Sequence, residues 1–485
     1  MPREWRREVA HIAARRKVQE PHLPWPADVT PDDLQDSTPC LLGQVLIKDD
    51  APLTSPMLRT NLSALTKQFW ALKENQWLQH TEPMDFDLWV SRFNPSRQQQ
   101  LRQAREEAER DGLMSHDAIM SVFIKTETSS NATDPRNISP RSAKFLSVLG
   151  PYVAQIETLA KACPYLVKGL TPEQRGARVS EFWRSAVIET DFSRFDMTVS
   201  EDIINTVEKT MFRIAYPEGL HPLLDECMDQ LTTLTGVSNL GVQYSVAGTR
   251  ASGDAHTSIA NGVINRFVIW ACLRNLSDTT WCSFHEGDDG VIHCDDAVRS
   301  TIVDYLPYAG LLGFRLKIVE PPTHAHATFC GRFTCVDCKR EFCDLPRTLA
   351  KFHTTYKQGD AKSLVLAKAL SYFATDAHTP IVGPMCAALI AHLSPKVSDR
   401  LLRRRLAAMG WWDRQRCVRG LKATPTEVSP CCRASVALIT GWDTELQVQT
   451  ELQLKGWERG VTTISPIWVD DHLVDGPGHV VYQAP

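Results

Sequence analysis

Four aspartates stand where a folded chain could bring carboxylates together for metal-assisted chemistry. Asp191 and Asp196 lie five residues apart, just after a segment from Glu181 to Ile188 that leads into a predicted strand, and Asp288 and Asp289 are adjacent between two glycines. Adjacent carboxylates repel each other unless a cation offsets their charge. Two hard cations about 4 Å apart, held by carboxylates, stabilise the attacking and leaving oxygens in nucleotidyl transfer, and magnesium suits such a site because it also accepts waters and substrate phosphates. Each pair also has a simpler interpretation as residues of a solvated turn.

A third group of polar residues lies between the two aspartate pairs. Ser252 and Gly253 form a turn before a predicted helix, in which Thr257 and Asn261 are four residues apart and therefore share a face. Small polar side chains in this arrangement could contact a sugar hydroxyl. The alternative interpretation is a helix N-cap followed by a buried polar face.

The hydrophobic pattern predicts the elements that would position these residues. A strand ends near Asp191, a helix covers Thr257 to Leu276, and two short apolar runs between Ser283 and His293 indicate a β-hairpin around Gly287 to Gly290. Elsewhere the sequence predicts helices over 96–112, 296–312, 345–374 and 385–409, and a strand over 313–319. The order strand, helix, hairpin, helix, strand, followed by a mainly helical region, indicates an α+β fold.

The composition is typical of a folded protein that does not cross a membrane. Of the 485 residues, 43% are hydrophobic and 23% are charged. No run approaches the roughly 18 consecutive apolar residues of a membrane span, and the N-terminus lacks the apolar core of a secretory signal. The net charge of -4 does not indicate nucleic-acid binding, although a channel needs only local positive charge. The 14 scattered cysteines are expected to be free thiols in a reducing compartment.

Together the three groups resemble motifs A, B and C of the RNA-dependent RNA polymerases of positive-strand RNA viruses. The motif sequences are most similar to those of tombusvirus-like and nodavirus-like enzymes: DFSRFDMTVS (191–200), RASGDAHTSIANG (250–262) and EGDDGVIH (286–293). Upstream, the segment from Lys125 to Arg141 resembles the basic loop called motif F, and downstream 313–317 and 329–333 resemble motifs D and E. The resemblance covers roughly residues 120 to 355, with the motifs in unpermuted order.

The resemblance implies a role for each matched residue. Asp191 and Asp288 would bind two Mg²⁺ ions, for which Mn²⁺ could substitute, with Asp289 as a weaker or outer ligand. The ribose 2′-hydroxyl, which distinguishes RNA from DNA precursors, would be recognised by four residues: Asp196, Ser252, Thr257 and Asn261. The triphosphate would be neutralised by three cations: Lys125, Arg136 and Arg141. Lys317 would protonate the leaving pyrophosphate as a general acid. For Lys317 a solvated strand lysine, and for Arg141 simple packing, remain as alternatives.

The resemblance also implies a right-hand polymerase architecture. An N-terminal extension (1–60) would precede the fingers (61–185, with the basic loop at 122–142) and the palm (186–340, with a fingers insert at 205–245). The thumb would cover 341–425, and residues 426–485 have no assigned role. The expected partners are an RNA template, nascent RNA and NTPs, with other viral replicase proteins and, through them, host membranes. The expected place of action is the host cytoplasm, in membrane-associated replication complexes.

Three alternatives remain open at the level of sequence. A reverse transcriptase-like polymerase is disfavoured by the Gly-Asp-Asp wording and by the pair Asp196 and Asn261. A catalytically inactive RNA-binding scaffold is disfavoured by the intact aspartates. A structural zinc site at Cys330, Cys335, Cys338 and Cys343 has one Cys-x-x-Cys knuckle, but it lacks a second one, so the sequence argues against it.

Overall fold

The computed structural model describes residues 55–125, 137–238, 243–335, 337–352, 354–355, 359–456 and 480–481. Arg136, predicted to contact the triphosphate, lies outside these ranges. Within them, helices are combined with mainly antiparallel sheets, which confirms the predicted α+β class. None of the helices in these ranges is long and apolar enough to cross a membrane.

The strands of the described ranges fall into four sheets. In chain order they are β1 Met120–Ile124, β2 Asn137–Ile138, β3 Ala186–Phe192, β4 Thr233–Ser238, β5 Gln243–Ala247, β6 Trp281–Glu286, β7 Asp289–Cys294, β8 Leu316–Val319, β9 Thr328–Phe329, β10 Arg332–Cys335, β11 Arg340–Cys343, β12 Thr354–Thr355 and β13 Val480–Val481.

The α-helices lie before, between and after these strands. In chain order they are α1 Ser55–Trp70, α2 Phe86–Val90, α3 Pro95–Asp111, α4 Ala143–Leu159, α5 Pro172–Glu181, α6 Phe195–Thr198, α7 Glu201–Ile203, α8 Lys209–Ala215, α9 His221–Thr232, α10 Thr257–Leu273, α11 Asp296–Tyr305, α12 Leu345–Phe352, α13 Ala361–Asp376, α14 Val382–Leu393, α15 Asp399–Ala407, α16 Trp411–Lys422, α17 Pro430–Thr440 and α18 Thr444–Gly456. A π-helical segment, Ile204–Glu208, joins α7 to α8.

The sheet that carries the aspartates has the strand order β6–β7–β3–β8 and is antiparallel throughout. Val187 and Ile188 on β3 and Val291 and Ile292 on β7 are all buried. Both faces of the two central strands are therefore covered, and β-branched residues suit such a position. Gly287 and Asp288 form the turn between β6 and β7, which confirms the predicted hairpin. Gly287 has a φ of 62°, a left-handed conformation that glycine adopts without Cβ strain.

Helix α10 packs against this sheet and is buried from Ile259 to Leu273. It is apolar on almost every side, as expected of a helix inside a core. Phe267 meets Phe69 of α1 edge-on, with the ring centroids 5.4 Å apart, a geometry that adds about 1 kcal/mol to the burial of the rings. Two asparagines interrupt the apolar surface one turn apart, Asn261 and Asn265, and they lie on the side of the predicted site.

Two further sheets, one of four strands and one of three, accompany the aspartate sheet. In the first, ordered β2–β1–β4–β5, strand β1 pairs in parallel with β4, so the segment between the first aspartate pair and Ser252 joins an upstream strand. In the second, ordered β11–β10–β9, the β10–β11 hairpin leads into the helices that follow. Those helices, α12 to α18, share a core with this hairpin that is separate from the core around α10.

Several predicted helices are shorter than expected, for local reasons. The predicted 296–312 helix is α11 followed by a 3-10 turn, Leu306–Leu312, because Pro307 cannot donate the next helical hydrogen bond. The predicted 345–374 helix is interrupted before Asp360, whose side chain caps α13. The predicted 385–409 helix is divided by Pro395 and by Ser398, which caps α15. The predicted polar helix is observed as α3, and it ends at Gly112, which has a φ of 69°.

Candidate active site

The β3–β7 register brings the aspartates to one edge of the sheet. The ladder ends where Thr190 pairs with Gly290, and Asp191 and Asp289 are the next residues on the two strands. On the far side of β3, Asp191 pairs with Lys317 of β8. Residues directly opposite each other in antiparallel strands share a face, so Asp289, Asp191 and Lys317 form a row across three strands. Asp288 lies in the turn beside this row, and all four side chains are exposed.

The carboxylates of this row are close enough for their negative charges to shift a pKa. Although Asp289 is accessible to solvent, desolvation by the surrounding protein, and then the negative charges of Asp288, Asp191 and Glu286, raise its pKa to about 6, and Arg175 only partly offsets them. A site of this kind favours an added cation. The aspartates do not form a closed cage: among the described residues, the one group whose ligand atoms already lie within 4.8 Å of one another consists of cysteines. An open set of carboxylates fits Mg²⁺, which fills its remaining positions with waters and phosphates.

Asn265 holds the hairpin turn in place, and the sequence did not single it out. Its Nδ2 lies 3.2 Å from the carbonyl oxygen of Gly287, 3.1 Å from that of Asp288 and 3.2 Å from that of Asp289. The residue is fully buried. The signal that could have found it is its position, one helical turn after Asn261 on the same face of α10.

The hairpin also needs a small residue at Gly290, the second residue of β7. A Cβ atom there would overlap Oγ1 of Thr190 on the neighbouring strand. Glycine therefore lets β7 approach β3 closely at the point where Asp191 and Asp289 meet.

Three of the four predicted ribose-binding residues form one hydrogen-bonded group. Ser252 Oγ donates to Oδ2 of Asp196, and Asn261 Nδ2 donates to Oδ1 of Asp196 over 3.1 Å. Asp196 is partly exposed whereas Asn261 is buried, so the group has an accessible carboxylate on a fixed base. Thr257 is nearby but its Oγ1 donates to the carbonyl of Ala251 over 2.7 Å, which commits it to the start of α10.

A buried charged network supports this group from below. Arg250 Nε donates to Oδ1 of Asn261 over 2.9 Å, and its guanidinium forms an ion pair with Glu208, which is 1% exposed. His256 Nε2 lies 2.8 Å from Oε1 of Glu208. Burial by itself raises the pKa of Glu208, but the charges of Arg250 and then His256 lower it to about 2. Neither Arg250 nor Glu208 was predicted, since Glu208 lies 42 positions before Arg250 and nothing in the pattern links them.

The predicted triphosphate cations lie in different environments. Lys125 directly follows β1 and is exposed. Arg141 has a side chain only 2% exposed: its Nε contacts the Asp254 carboxylate at 3.0 and 3.2 Å, and its Nη1 donates to the carbonyls of Ala118 and Gln230. Arg141 therefore fastens the loop that carries Ser252.

A large basic cleft opens beside the hairpin. Its volume is about 1050 Å³, and its wall runs from Glu286 and Cys330 to α12, α13 and α16. Five cationic side chains of these helices line it: Arg347, Lys351, Lys368, Arg416 and Arg419. Burial lowers the pKa of Lys368 to about 8.

Arg175 connects the cleft to the aspartate hairpin. Its Nε and Nη2 lie 2.7 and 2.8 Å from the two carboxylate oxygens of Glu341 on β11, and its Nη1 lies 3.2 Å from Glu286. Arg175 thus links the β6–β7 and β10–β11 hairpins, and it was missed because its partners are more than 100 positions away.

The four cysteines considered for zinc do not form one site. In the β10–β11 hairpin, Arg332 pairs with Cys343 whereas Cys335 pairs with Arg340, so Cys343 and Cys330 lie at the open end and Cys335 and Cys338 at the turn. Cys330 Sγ instead lies 3.6 Å from Oε2 of Glu286. Cys335 and Cys338 are joined by Cys431 and Cys432, which the sequence left unassigned.

Comparisons with known proteins agree on one family. The family model described as viral RNA-dependent RNA polymerase matches residues 47–461. An RNA-directed RNA polymerase of Striped jack nervous necrosis virus is 31% identical over 321 residues, 61% of this chain and 31% of that protein. The RNA-directed RNA polymerase of Pariacoto virus is 28% identical over 54% of this chain and 28% of that protein, and that of Tobacco necrosis virus (strain A) is 27% identical over 51% and 36%.

The alignments thus span about a third of the length of these relatives. The family match nevertheless extends well beyond the motif region on both sides, through the helices that follow the β10–β11 hairpin. The expected kinship is therefore confirmed, and this chain belongs to the viral RNA-dependent RNA polymerase family.

Proposed function

We propose that the chain catalyses template-directed RNA synthesis and replicates a viral positive-strand RNA genome. The reaction is attack of a nascent RNA 3′-hydroxyl on the α-phosphate of an NTP, with release of pyrophosphate. The observation that carries the proposal is the row of Asp289, Asp191 and Lys317 beside the group of Asp196, Ser252 and Asn261. A carboxylate edge and a hydroxyl-recognising group on adjacent elements are what transfer of a ribonucleotide requires.

Asp191, Asp288 and Asp289 would hold two Mg²⁺ ions, which supply charge stabilisation of the attacking and leaving oxygens when bound. The protein's own contribution is to fix the carboxylates before substrate arrives. Asn265 holds the turn that carries Asp288, and the β3–β7 ladder fixes Asp191 against Asp289. Rigid placement of this kind supplies much of the rate enhancement in phosphoryl transfer.

Asp196 would accept a hydrogen bond from the ribose 2′-hydroxyl. Ser252 and Asn261 hold its carboxylate, and Arg250 holds Asn261, so the acceptor is oriented in advance. A deoxyribonucleotide lacks the hydroxyl and leaves this acceptor unsatisfied, which disfavours its incorporation.

The phosphates of the NTP would meet Lys125 and Arg136, and Lys317 would give a proton to the leaving pyrophosphate. Lys317 pairs with Asp191 across β3 and β8 and shares its sheet face, and this proximity supports the proposed role. Arg141 takes part indirectly, because its ion pair with Asp254 positions the loop of Ser252.

The proposed architecture is a right hand with fingers at 61–185, palm at 186–340 and thumb at 341–425. The pairing of β4 with β1 supports the assignment of 205–245 to the fingers. The basic cleft lies between the proposed palm and thumb, where it would take the phosphate backbone of template and nascent RNA. Action in the host cytoplasm, with other replicase proteins and membranes, belongs to the same proposal.

The experiment compares Asp288→Ala with Asp278→Ala, which removes an exposed aspartate from the turn before β6. Metal-dependent incorporation of NTPs on a homopolymer template should be abolished by the first change and retained by the second, while both variants bind RNA. Undiminished incorporation by Asp288→Ala contradicts the proposal. Preference for dNTPs in the unmodified protein would identify a reverse transcriptase-like enzyme, and RNA binding without any incorporation would identify an inactive scaffold.

A further inference from the structure

Four cysteine thiols from two distant parts of the chain meet at the turn of the β10–β11 hairpin. Cys335 and Cys338 come from the turn, and Cys431 and Cys432 from the first turn of α17. The four Sγ atoms lie within 4.8 Å of one another, and Cys338 Sγ is 3.3 Å from Cys432 Sγ. Cys335 and Cys432 are fully buried, and the other two are half-buried.

The size of this cluster suits a tetrahedral metal ion. Zinc binds thiolates at about 2.3 Å, so four sulfurs around one ion are separated by about 3.8 Å. Four sulfurs fill all four positions of a tetrahedral zinc ion and leave none for a substrate. This arrangement is typical of structural zinc, because catalytic zinc keeps one position open.

Local structure favours thiolates at these positions. Ser429 caps α17 and Pro430 follows it, so Cys431 and Cys432 lie in the first turn of an 11-residue helix. Backbone amides and the helix dipole stabilise negative charge there. On the hairpin side, Lys339 has a φ of 58°, and its amide donates to the carbonyl of Cys335 over 2.9 Å, which closes a tight knuckle around the Cys-x-x-Cys pair.

The cluster differs from the other buried cysteines. Among the described residues, its four Sγ atoms are the one group of candidate metal ligands that lie within 4.8 Å of one another. By contrast, burial raises the pKa of Cys163 and of Cys227 to about 12, as expected for thiols that only fill a core. The clustered thiols are therefore placed to share one ion, whereas Cys163 and Cys227 are placed in the core.

We propose that Cys335, Cys338, Cys431 and Cys432 bind one Zn²⁺ ion in a closed structural site. The site joins the β10–β11 hairpin to α17 across more than 90 residues of sequence. The open end of the same hairpin lines the basic cleft, so the ion fastens one wall of that cleft to the C-terminal helices. The proposal is independent of the polymerase reaction.

The test begins with the metal content of the full chain, purified without chelators from zinc-supplemented cells. Elemental analysis should give about one zinc per chain, and Co²⁺ substitution should give the intense absorption of a tetrahedral tetrathiolate. The double variant Cys431→Ser/Cys432→Ser should lose the zinc. Cys343→Ala is the matched control, because it removes a buried thiol from the same hairpin outside the cluster, and it should keep the zinc.

Several results would overturn the proposal. These are unmodified protein with no zinc, a double variant that keeps it, or a disulfide between Cys338 and Cys432 found by mass spectrometry without reduction. If the double variant does not fold, the proposal is tested by measuring how fast the thiols of the unmodified protein are alkylated with and without a chelator. Half-buried Cys338 and Cys431 should react only after a chelator is added, and equal reactivity before and after would reject a bound metal.

Discussion

Two carboxylate sites lie along one face of α10, one beside Asn261 and the other beside Asn265, and their electrostatic environments differ. At the hairpin, desolvation and then the negative charges of Asp288, Asp191 and Glu286 raise the pKa of Asp289 to about 6. The second site is the group of Asp196, Ser252 and Asn261, which we call the sugar-side group after its proposed role. In it, Asp196 accepts hydrogen bonds from Ser252 and Asn261. Below that group, the pKa of Glu208 falls to about 2.

In the first site the acids raise one another's pKa, and in the second the acid is held by hydrogen bonds from its neighbours. Acids that repel one another gain from binding a cation. An acceptor held in place would, under the proposed function, disfavour a substrate that leaves it without a hydrogen bond. The first site should therefore govern rate and the second should govern selectivity and stability.

The largest effect is expected from Asp191→Asn. The change keeps the shape of the side chain but removes a proposed metal ligand, and the rate of NTP incorporation should fall on the order of 10³-fold or more. Single-turnover incorporation with saturating Mg²⁺ measures it, with Asp278→Asn as the control. A loss of less than about tenfold would contradict the role of the hairpin site.

A loss of stability is expected from Glu208→Gln. The change leaves Arg250 buried without its counter-charge, which costs about 3 kcal/mol of the free energy of unfolding. Urea unfolding measures this, and Arg299→Met is the control, since Arg299 pairs with Glu320 at the surface with both side chains about 40% exposed. That exposed pair should contribute less than about 1 kcal/mol. Equal losses in the two variants would remove the distinction between buried and exposed charge.

The same variant should reveal a pH dependence of stability. The pKa of Glu208 is lowered from 4.5 to about 2 on folding, so its ionised form stabilises the fold above pH 4.5. This contribution is lost as the pH falls from about 4.5 towards about 2. The difference in free energy of unfolding between the unmodified protein and Glu208→Gln should shrink over that range. A constant difference would mean that folding does not shift the pKa of Glu208.

A smaller, selective effect is expected from Asn261→Ala. Loss of the hydrogen bond to Asp196 should reduce discrimination between NTPs and dNTPs about 10-fold to 100-fold, since a hydrogen bond to a charged group is worth about 1.5–3 kcal/mol. The ratio of kcat/KM for the two substrates measures it. An equal loss for both substrates would place Asn261 in general positioning and not in sugar selection.

The smallest effect is expected from Thr257→Val. The Thr257 hydroxyl already bonds the carbonyl of Ala251, so discrimination against dNTPs should change by less than about twofold. The free energy of unfolding should fall by about 1 kcal/mol, as for loss of a helix-end hydrogen bond. A tenfold loss of discrimination would restore Thr257 as a direct contact to the sugar.

The sequence was sufficient where chemistry is local. The Gly-Asp-Asp-Gly segment predicted a hairpin turn, and the apolar pattern from Thr257 to Leu276 predicted a helix, which is observed over Thr257–Leu273. It was insufficient where a partner is distant: Glu208 and Arg250, or Arg175 and Glu341, become partners only when separate elements pack. The cysteines show the same limit, because Cys335 and Cys338 formed a recognisable knuckle whereas Cys431 and Cys432 had no visible counterpart.

Helix α10 presents Asn261 to the sugar-side group and Asn265 to the hairpin turn, one helical turn apart. The helix is buried from Ile259 to Leu273, so it can slide or rotate only if the surrounding core repacks. Asn261 and Asn265 lie about 6 Å apart along it, and any shift of the helix moves both together. Under the proposed function, a nucleotide misplaced at Asn261 would also be misaligned with the aspartates that Asn265 supports, so substrate choice and reaction rate would depend on the same helix.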